Sequence, residues 1–274
     1  MAKTGRELAE SVRLADLVIE VVDARIPRSS TNPGFVKITQ GRKRVIALNK
    51  IDLADPARSA KWKQYYKNSG TDAVFTNSNK GEGVPQIRSI LQKAGGEKIL
   101  KQADRGVINR PLRAMIVGIP NSGKSSLINC LASRSAAATG DRPGVTRRRQ
   151  WFRLENGVEL LDTPGVLWPK FDNEEVALHL AFTGAIKDGV YDTIEAAEKL
   201  LAILYTEYAP LAAKRYGEMN INDSGGLSYP LLEHAGRKRG FLLKGGSIDY
   251  DRTAAIVLDE FRAARIGRIT LEAP

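Results

Sequence analysis

Short apolar runs alternate with longer segments of helical periodicity through the first two thirds of the chain. The runs are rich in Val, Ile and Leu, which is typical of buried strands, and they lie at 17–22, 45–48, 73–75, 114–117 and 158–161. Helical spacing is seen between them, at 3–14, 56–68 and 84–94. Strand and helix patterns in alternation predict an α/β domain with a mostly parallel sheet and helices on both faces.

Two segments depart from this alternation. Asn156-Gly157 lies between two strand-like segments and predicts a tight hairpin. Residues 95–110 follow the third helical segment and begin with Gly95-Gly96, which predicts a linker that runs over the surface.

The last hundred residues show helical spacing alone. Apolar residues recur at core spacing, for example at Ile194, Ala197, Leu201 and Leu204. The pattern therefore divides the chain into an α/β domain at 1–173 and a small all-α domain at 174–274.

A glycine-rich segment at 118–126 follows the strand-like run 114–117 and precedes an apolar helical segment. Its spacing, G-x-x-x-x-G-K-S, is that of a phosphate-binding loop, in which backbone N–H groups converge on phosphate at a helix N-terminus. Lys124 is expected to reach the β- and γ-phosphates, and Ser125 to bind Mg²⁺. The predicted nucleotide contacts here are Asn121, Ser122, Gly123, Lys124, Ser125 and Ser126.

The tetrapeptide Asn49-Lys50-Ile51-Asp52 comes at the end of the strand-like run 45–48. Ligands of open α/β sheets bind at the carboxyl ends of strands. A carboxylate at Asp52 can accept hydrogen bonds from N1–H and the 2-amino group of guanine, a donor pair that adenine lacks, so it favours GTP over ATP. We expect Asn49 at the purine edge and Lys50 along the base plane. The backbone N–H groups of Asn77 and Ser78, one strand later, are expected to meet the guanine O6.

Asp162-Thr163-Pro164-Gly165 closes the run 158–161. Asp162 is expected to hold Mg²⁺ through water, and the Gly165 N–H to contact the γ-phosphate, so that the following segment responds to GTP. Thr146 is the expected second Mg²⁺ ligand. The predicted residues of the hydrolytic centre are Lys124, Thr146 and Gly165.

The order of these motifs is unusual, because the guanine motif at 49–52 precedes the phosphate loop instead of following it. Circular permutation explains this order, since the sheet and its ligand site are unchanged when the termini move to a surface loop. The chain resembles the circularly permuted GTPases of the YlqF/RbgA (ribosome biogenesis GTPase A) family. Further segments that carry the resemblance are Asp23-Ala24-Arg25-Ile26-Pro27, Gly140 to Thr146, Asp162 to Lys170, Thr183 to Asp188 and Lys238-Arg239-Gly240.

The resemblance implies a GTPase that takes part in late assembly of the large ribosomal subunit. It also implies that the second domain helps to grip ribosomal RNA; the alternative is a helical cap on the GTPase domain. Relatives typically carry a Trp-Phe/Tyr-Pro-Gly-His segment ahead of Met-Ala-Lys, and its histidine is the proposed catalytic group. The present sequence begins at Met1-Ala2-Lys3 and does not contain that histidine.

Composition and charge narrow the class of partner. The 274 residues are 42% hydrophobic and 27% charged, as in globular proteins, and no apolar run is long enough for a membrane span. One cysteine, Cys130, excludes an internal disulfide and indicates a cytoplasmic protein, which we expect to be a monomer.

Residues 1–173 carry 30 Lys/Arg against 16 Asp/Glu, a net charge of +14, whereas 174–274 carry −3. A polyanion such as RNA is therefore attracted to the first domain.

Two arginine-rich clusters are the candidate RNA contacts. Arg147, Arg148 and Arg149 follow Thr146, and an arginine finger acting on the nucleotide is the alternative role for them. Arg237, Lys238 and Arg239 form the second cluster, in the helical domain. The role of Asp23 to Pro27 stays open between a structural loop and an RNA contact.

The residue that activates water is not evident. Ras-like enzymes carry a glutamine after Asp-x-x-Gly, and here that position is Val166, so intrinsic hydrolysis should be slow. Asn121 is a possible K⁺ ligand that would supply the missing charge; a hydrogen bond within the loop is the equally weighted alternative.

Together with the resemblance to the YlqF/RbgA family, these features predict a GTPase that binds large-subunit ribosomal RNA in its GTP state, is stimulated by the subunit and leaves after hydrolysis. Mg²⁺ is the expected cofactor, and K⁺ is a candidate second one. Two alternatives stay open: a nucleotide-gated RNA-binding module with negligible turnover, and a tRNA-modification-type GTPase. Neither Cys nor His forms a cluster that would supply the reactive centre of the latter.

Overall fold

The computed structural model describes residues 2–103, 110–132, 150–154, 157–165, 167, 173–220 and 227–274. The chain forms two compact units. The sheet unit comprises Met1–Asp52, Pro56–Phe171 and Glu272–Pro274, and the helical unit comprises Leu53–Asp55 and Asp172–Leu271. Each unit has its own hydrophobic core.

Six strands form one sheet in the order β3-β2-β1-β4-β6-β5. Their bounds are β1 Leu17–Asp23, β2 Lys43–Asn49, β3 Asp72–Phe75, β4 Arg113–Val117, β5 Gln150–Arg153 and β6 Glu159–Asp162. Every neighbouring pair is parallel except β5 and β6, which are antiparallel and are joined through the turn at Gly157. The predicted hairpin and mostly parallel sheet are confirmed.

Among its described residues the sheet unit has five helices: α1 Ala2–Leu14, α2 Pro33–Ile38, α3 Pro56–Asn68, α4 Val84–Ala103 and α5 Lys124–Ala132. Alternate residues of β1 enter two separate cores. Leu17 and Ile19 pack in the cluster that includes α4 and α5, and Val18 packs in the cluster that includes α1. Helices therefore cover both faces of the sheet, which explains why its central strands are apolar throughout.

The strand order reverses direction between β1 and β4, since the chain runs from β1 to β3 on one side and continues at β4 on the other. Such a switch point leaves a crevice at the carboxyl ends of the two strands. The register places Asp23, the last residue of β1, beside Asn49, the last residue of β2. In the same way Ile116 of β4 lies beside Asp162 of β6. The predicted motifs therefore come together at one edge of the sheet.

Two elements differ from the sequence prediction. Helix α4 continues to Ala103, so the linker predicted at 95–110 is wrong for its first nine residues. The additional turns are held by Lys98, whose Nζ donates to Asp16 Oδ2 at 2.6 Å and to the Pro111 carbonyl at 2.7 Å. The short helix α2 was not predicted; Asn32 caps it by accepting from the Gly34 N–H at 2.8 Å.

The helical unit consists of α6 Glu174–Phe182, α7 Thr193–Glu207, α8 Ala209–Tyr216, α9 Pro230–Arg239 and α10 Tyr250–Arg262. The buried face of α7 includes the predicted Ala197, Leu201 and Leu204, whereas Ile194 is only half-buried. None of the described helices in either unit combines the length and apolar character that a bilayer span requires. The predicted fold class, a permuted α/β domain followed by helices, is confirmed.

Each unit also includes a short piece of distant sequence. In the helical unit, the Leu53 carbonyl accepts from the Ile269 N–H at 3.1 Å. In the sheet unit, Glu272 accepts hydrogen bonds from the backbone N–H groups of Arg28, at 2.6 Å, and Ser29, at 3.0 Å. The Trp62 Nε1–H donates to the Glu272 carbonyl at 3.0 Å.

Candidate nucleotide-binding site

The glycine-rich segment joins β4 to α5, with Lys124 as the first residue of the helix. Gly123 has φ +96°, and a Cβ there would lie 2.1 Å from Asn49 Nδ2. No side chain other than hydrogen fits this position. Ser122 is buried, and its Oγ donates to the Ile119 carbonyl at 3.0 Å. Asn121 has φ +58°, a left-handed conformation that Asn tolerates better than most residues.

Asn49 joins three segments of this edge. Its Nδ2 donates to the Ser122 carbonyl at 2.8 Å, and its Oδ1 accepts from the Ser78 N–H at 3.0 Å and the Ser78 Oγ–H at 2.7 Å. The phosphate loop, the end of β2 and the loop after β3 are therefore fixed to one buried amide. A side-chain amide can make four hydrogen bonds, and one that uses most of them holds the segments it contacts in fixed positions.

The same contacts involve the two N–H groups that were expected at the guanine O6. The Ser78 N–H donates to Asn49, and the Asn77 N–H donates to the Glu82 carbonyl at 3.1 Å. In this structure both N–H groups are used within the protein, because the buried Asn49 oxygen and the loop turn need donors. Contact of either N–H group with a guanine O6 stays a prediction.

Lys50 and Asp52 come directly after β2. Lys50 has φ +61°, which turns the chain at the end of the strand, and the Ile51 N–H donates to the Thr76 carbonyl at 3.3 Å. Lys50, Ile51 and Asp52 are all half-buried. The tetrapeptide therefore begins in the sheet and ends at the accessible edge.

A buried ion cluster lies beneath Lys50. Its Nζ is 2.9 Å from Asp23 Oδ2, and the Arg25 guanidinium contacts both oxygens of Asp23, at 2.8 and 3.0 Å. Burial opposes ionisation of Asp23, but the two cations hold the pKa of its carboxyl well below the ordinary value. Burial lowers the pKa of Lys50, and Asp23 opposes that shift. Of the two roles open for Asp23 to Pro27, a structural loop fits Arg25, whose side chain is 1% exposed and engaged with Asp23.

Lys124 is 7% exposed, and its Nζ donates to the Ile119 carbonyl at 2.6 Å. Burial lowers the pKa of Lys124 to about 8, while the nearby Asp162 carboxylate opposes the shift. A buried ammonium whose described hydrogen bond goes to a neutral carbonyl is poised to receive an anion.

The segment after β6 approaches the phosphate loop closely. A Cβ on Gly165 would lie 2.8 Å from Lys124 Nζ and 2.9 Å from Pro120 Cα, so only glycine fits there. Asp162 is buried, and Ser125 is half-buried in the first turn of α5. A hydroxyl and a carboxylate are oxygen ligands of the kind that Mg²⁺ takes, so the donor set fits that ion.

The remaining predicted residues lie within α5, at the end of α9 or outside the described residues. Ser126 is half-buried within α5. Arg237 and Arg239 are exposed at the end of α9, where they contact Glu233 and Glu260 respectively, and Lys238 between them is also exposed. Thr146, Arg147, Arg148, Arg149 and Val166 lie outside the described residues.

Comparison with known proteins agrees with this geometry. A family model described as a 50S ribosome-binding GTPase matches residues 113–236. The ribosome biogenesis GTPase A of Priestia megaterium is 45% identical over 275 residues, covering 100% of this chain and 94% of that protein. The protein of the same name from Bacillus cereus is 43% identical, covering 100% and 92%.

Two solved structures are similar along their whole length. The GDP-bound TM YlqF superimposes with a TM-score of 0.69 at 29% identity, covering 98% of this chain and 99% of that one. The GNP-bound YlqF from T. maritima gives 0.64 at 30% identity, covering 99% and 98%. The site geometry and these similarities lead to one conclusion: the chain is a GTP-hydrolysing member of the ribosome biogenesis GTPase A (YlqF/RbgA) family.

Proposed function

We propose that this GTPase acts on the large ribosomal subunit, binding its ribosomal RNA in the GTP state and leaving after hydrolysis. The observation that carries this proposal is the close approach of Gly165 to Lys124. It brings the segment after β6 against the phosphate loop, where the terminal phosphate of GTP is expected. The segment that responds to GTP is followed, within a few residues, by the start of the helical unit at Asp172.

The described geometry supports the nucleotide contacts proposed here. Lys124 is the cation for the β- and γ-phosphates, since its buried ammonium lacks a full counter-charge. The Asp52 carboxylate selects guanine through its two donors, and Lys50, held by Asp23, lies along the base. Asn49 keeps the guanine and phosphate segments in a fixed relation, which pre-organises the site for one ligand.

Ser125 and Asp162 would hold Mg²⁺, with Thr146 as the third protein group. The ion supplies charge neutralisation of the phosphate oxygens during transfer to water. The chain's own contribution is to orient the γ-phosphate between Lys124 and the Gly165 N–H.

Asn121 is proposed as a K⁺ ligand beside the phosphate loop. Its left-handed backbone gives a second, purely conformational reason for an asparagine at this position. The two roles differ in one measurable respect, because only the first makes turnover depend on the monovalent cation.

The RNA partner is supported by charge and by similarity. The net charge of +14 over residues 1–173 favours association with a polyanion, and the matching family model describes a 50S ribosome-binding GTPase. The subunit would also stimulate hydrolysis, since Val166 stands where Ras-like enzymes have a water-orienting glutamine.

The test is GTP turnover in K⁺ and in Na⁺ buffer, each with and without purified large ribosomal subunits. We expect slow turnover alone and acceleration by subunits, with K⁺ required if Asn121 binds it. Co-sedimentation with subunits should be stronger with a non-hydrolysable GTP analogue than with GDP. Equal co-sedimentation in both nucleotide states, or none in either, would refute the proposed cycle.

A further inference from the structure

Helix α3 is basic along its whole length. Its thirteen residues, Pro56–Asn68, include Arg58, Lys61, Lys63 and Lys67 and no acidic residue. The helix dipole favours cations only in the last turn, so it explains Lys67 but not the others. The face that packs on the sheet unit consists of Ser59, Trp62 and Tyr66. The lysines are exposed, and the fold does not require their charge.

An aromatic cavity of about 390 Å³ borders this helix, on the side that carries Tyr65. Its volume falls within the range of about 300–1,000 Å³ that is typical of small-molecule sites. Three rings form its aromatic wall. Tyr65 meets Trp62 edge-on at 5.4 Å between centroids, and meets Tyr66 edge-on at 5.6 Å.

Tyr65 differs from the other two rings in exposure. Trp62 and Tyr66 are buried, and the Trp62 N–H is satisfied by the Glu272 carbonyl. Tyr65 is 49% exposed, so half of its surface is open to a ligand. An exposed aromatic ring supported edge-on by two buried rings is a rigid stacking surface.

The two arginines that line the cavity, Arg44 and Arg28, differ in the partners of their guanidinium groups. Arg44 is paired with the buried Glu20 at 2.6 Å, so its charge is compensated. The exposed Arg28 lies with its guanidinium 6.0 Å from the Trp62 ring and donates to the Ala273 carbonyl, which is neutral. The nearby Glu272 carboxylate accepts from the backbone of Arg28. Lys61 precedes Tyr65 by four residues and therefore lies on the same side of α3.

We propose that the Tyr65 side of α3 and its cavity bind single-stranded RNA. An unpaired base stacks on Tyr65, and the neighbouring phosphates contact Arg28 and Lys61. Aromatic rings beside exposed cations are the combination that single-stranded nucleic acid requires, and the residues that line the cavity include no Asp or Glu. The faces of a paired base are covered by its neighbours in the double helix, so a stacking ring selects single strands. This inference rests on the proposed function, since it names where the RNA partner is held.

The first test compares Tyr65→Ala with Tyr65→Phe in the full chain. The probe is a single-stranded RNA of about 20 nucleotides, which exceeds the footprint of one base-stacking site. Loss of a stacking ring should weaken binding roughly 5- to 100-fold, whereas Tyr65→Phe keeps the ring and should stay within about twofold. Leu100→Ala is the matched control, because Leu100 is also exposed, at 69%, on a helix of the sheet unit.

The second test uses salt. Lys61→Gln removes one phosphate contact and should make the slope of log K against log salt shallower by about 0.7. Lys93→Gln removes the same charge from an exposed position on α4 and should leave the slope unchanged. Equal changes in both variants would show an effect of net charge alone and would refute the site.

Binding to purified large subunits separates this inference from the proposed function. If the wild type binds subunits and Tyr65→Ala binds RNA and subunits equally well, the α3 site is wrong and the proposed function stands. If the wild type binds neither, the proposed function fails as well. If Tyr65→Ala loses subunits but keeps free RNA, the surface contacts a ribosomal protein, which overturns the RNA assignment. GTP turnover without RNA should be the same in every variant.

Discussion

The two units place their charges differently. The sheet unit buries Asp23, Arg25 and Lys124 at the carboxyl ends of its strands. The helical unit carries most of its ion pairs on the surface, as between Arg237 and Glu233. Its buried acid, Glu260, is satisfied by the hydroxyl of Tyr216 at 2.8 Å and by the guanidinium of Arg215.

The difference in burial indicates different roles for the charges of the two units. A buried charge costs free energy unless it is paired, so folding alone would not select Lys124. Its position makes sense when the missing counter-charge belongs to a ligand. Surface pairs in the helical unit cost little and contribute little. The comparison therefore predicts that substitutions at the sheet edge change binding or folding strongly, and that those on the helical surface do not.

The largest effect is expected for Arg25→Met. This change leaves the buried Asp23 carboxylate with Lys50 alone, and breaking a buried pair costs about 3–5 kcal/mol of unfolding free energy. All three tryptophans lie within residues 1–173, so fluorescence during urea denaturation reports on that part of the chain. The double variant Asp23→Asn/Arg25→Met should lose less than the two single variants together. A loss below about 1 kcal/mol for Arg25→Met would mean that the cluster is not needed for folding.

A somewhat smaller effect, on function and not on folding, is expected for Lys124→Met. Removing a preorganised charge from the reacting phosphates should lower kcat by about 10²- to 10³-fold. Stability should stay constant or rise, because a buried ammonium is replaced by an apolar side chain of similar length. Lys93→Met is the control for loss of a lysine. A parallel fall in stability would show that Lys124 serves the fold instead.

The pH dependence of GTP binding gives the third test. The pKa of Lys124 is lowered to about 8 by burial, and bound phosphate should raise it because the ammonium gains a counter-charge. The contribution of Lys124 is then fully present below about pH 8 and declines above it, by at most tenfold per pH unit. Affinity measured from pH 7 to 9 should fall at the alkaline end. Lys124→Arg keeps its charge and should bind without this dependence, whereas a matching decline in that variant would assign the titration elsewhere.

The smallest effect is expected for Arg237→Gln in the helical unit. The pair with Glu233 spans one turn of α9, Arg237 is exposed, and Glu233 keeps its hydrogen bond from Tyr250, so loss of the arginine should change the unfolding free energy by less than about 0.5 kcal/mol. Thermal denaturation followed by circular dichroism measures this change. A loss above about 1 kcal/mol would contradict the contrast between the two units.

The fold class and the nucleotide motifs could be predicted because their signals are local in sequence. A phosphate loop needs a strand, glycines and a helix in immediate succession, and 114–131 contains them. Asp52 and Asp162 could be predicted for the same reason, because each belongs to a short motif that directly follows an apolar run.

The remaining features depend on contacts between distant residues. Lys50 meets Asp23 because β1 and β2 are parallel and in register, which no local pattern reveals. The last turns of α4 are held through Lys98 and Asp16, 82 residues apart. The cavity beside α3 is lined by Arg28 and Tyr65, which lie on different elements of the sheet unit. Knowledge of strand order would have been needed to predict any of these three.

The position of Glu272 has a consequence for biosynthesis. Its carboxylate holds the backbone of Arg28 and Ser29, so the loop after β1 receives its partner from residues that follow the helical unit in the sequence. Domains usually fold in the order in which they are synthesised. Here the first unit to emerge from the ribosome is completed only after the second unit has been translated. Nascent chains that stop short of residue 272 lack that contact, so the loop at Arg28 and Ser29 gains it only late in translation.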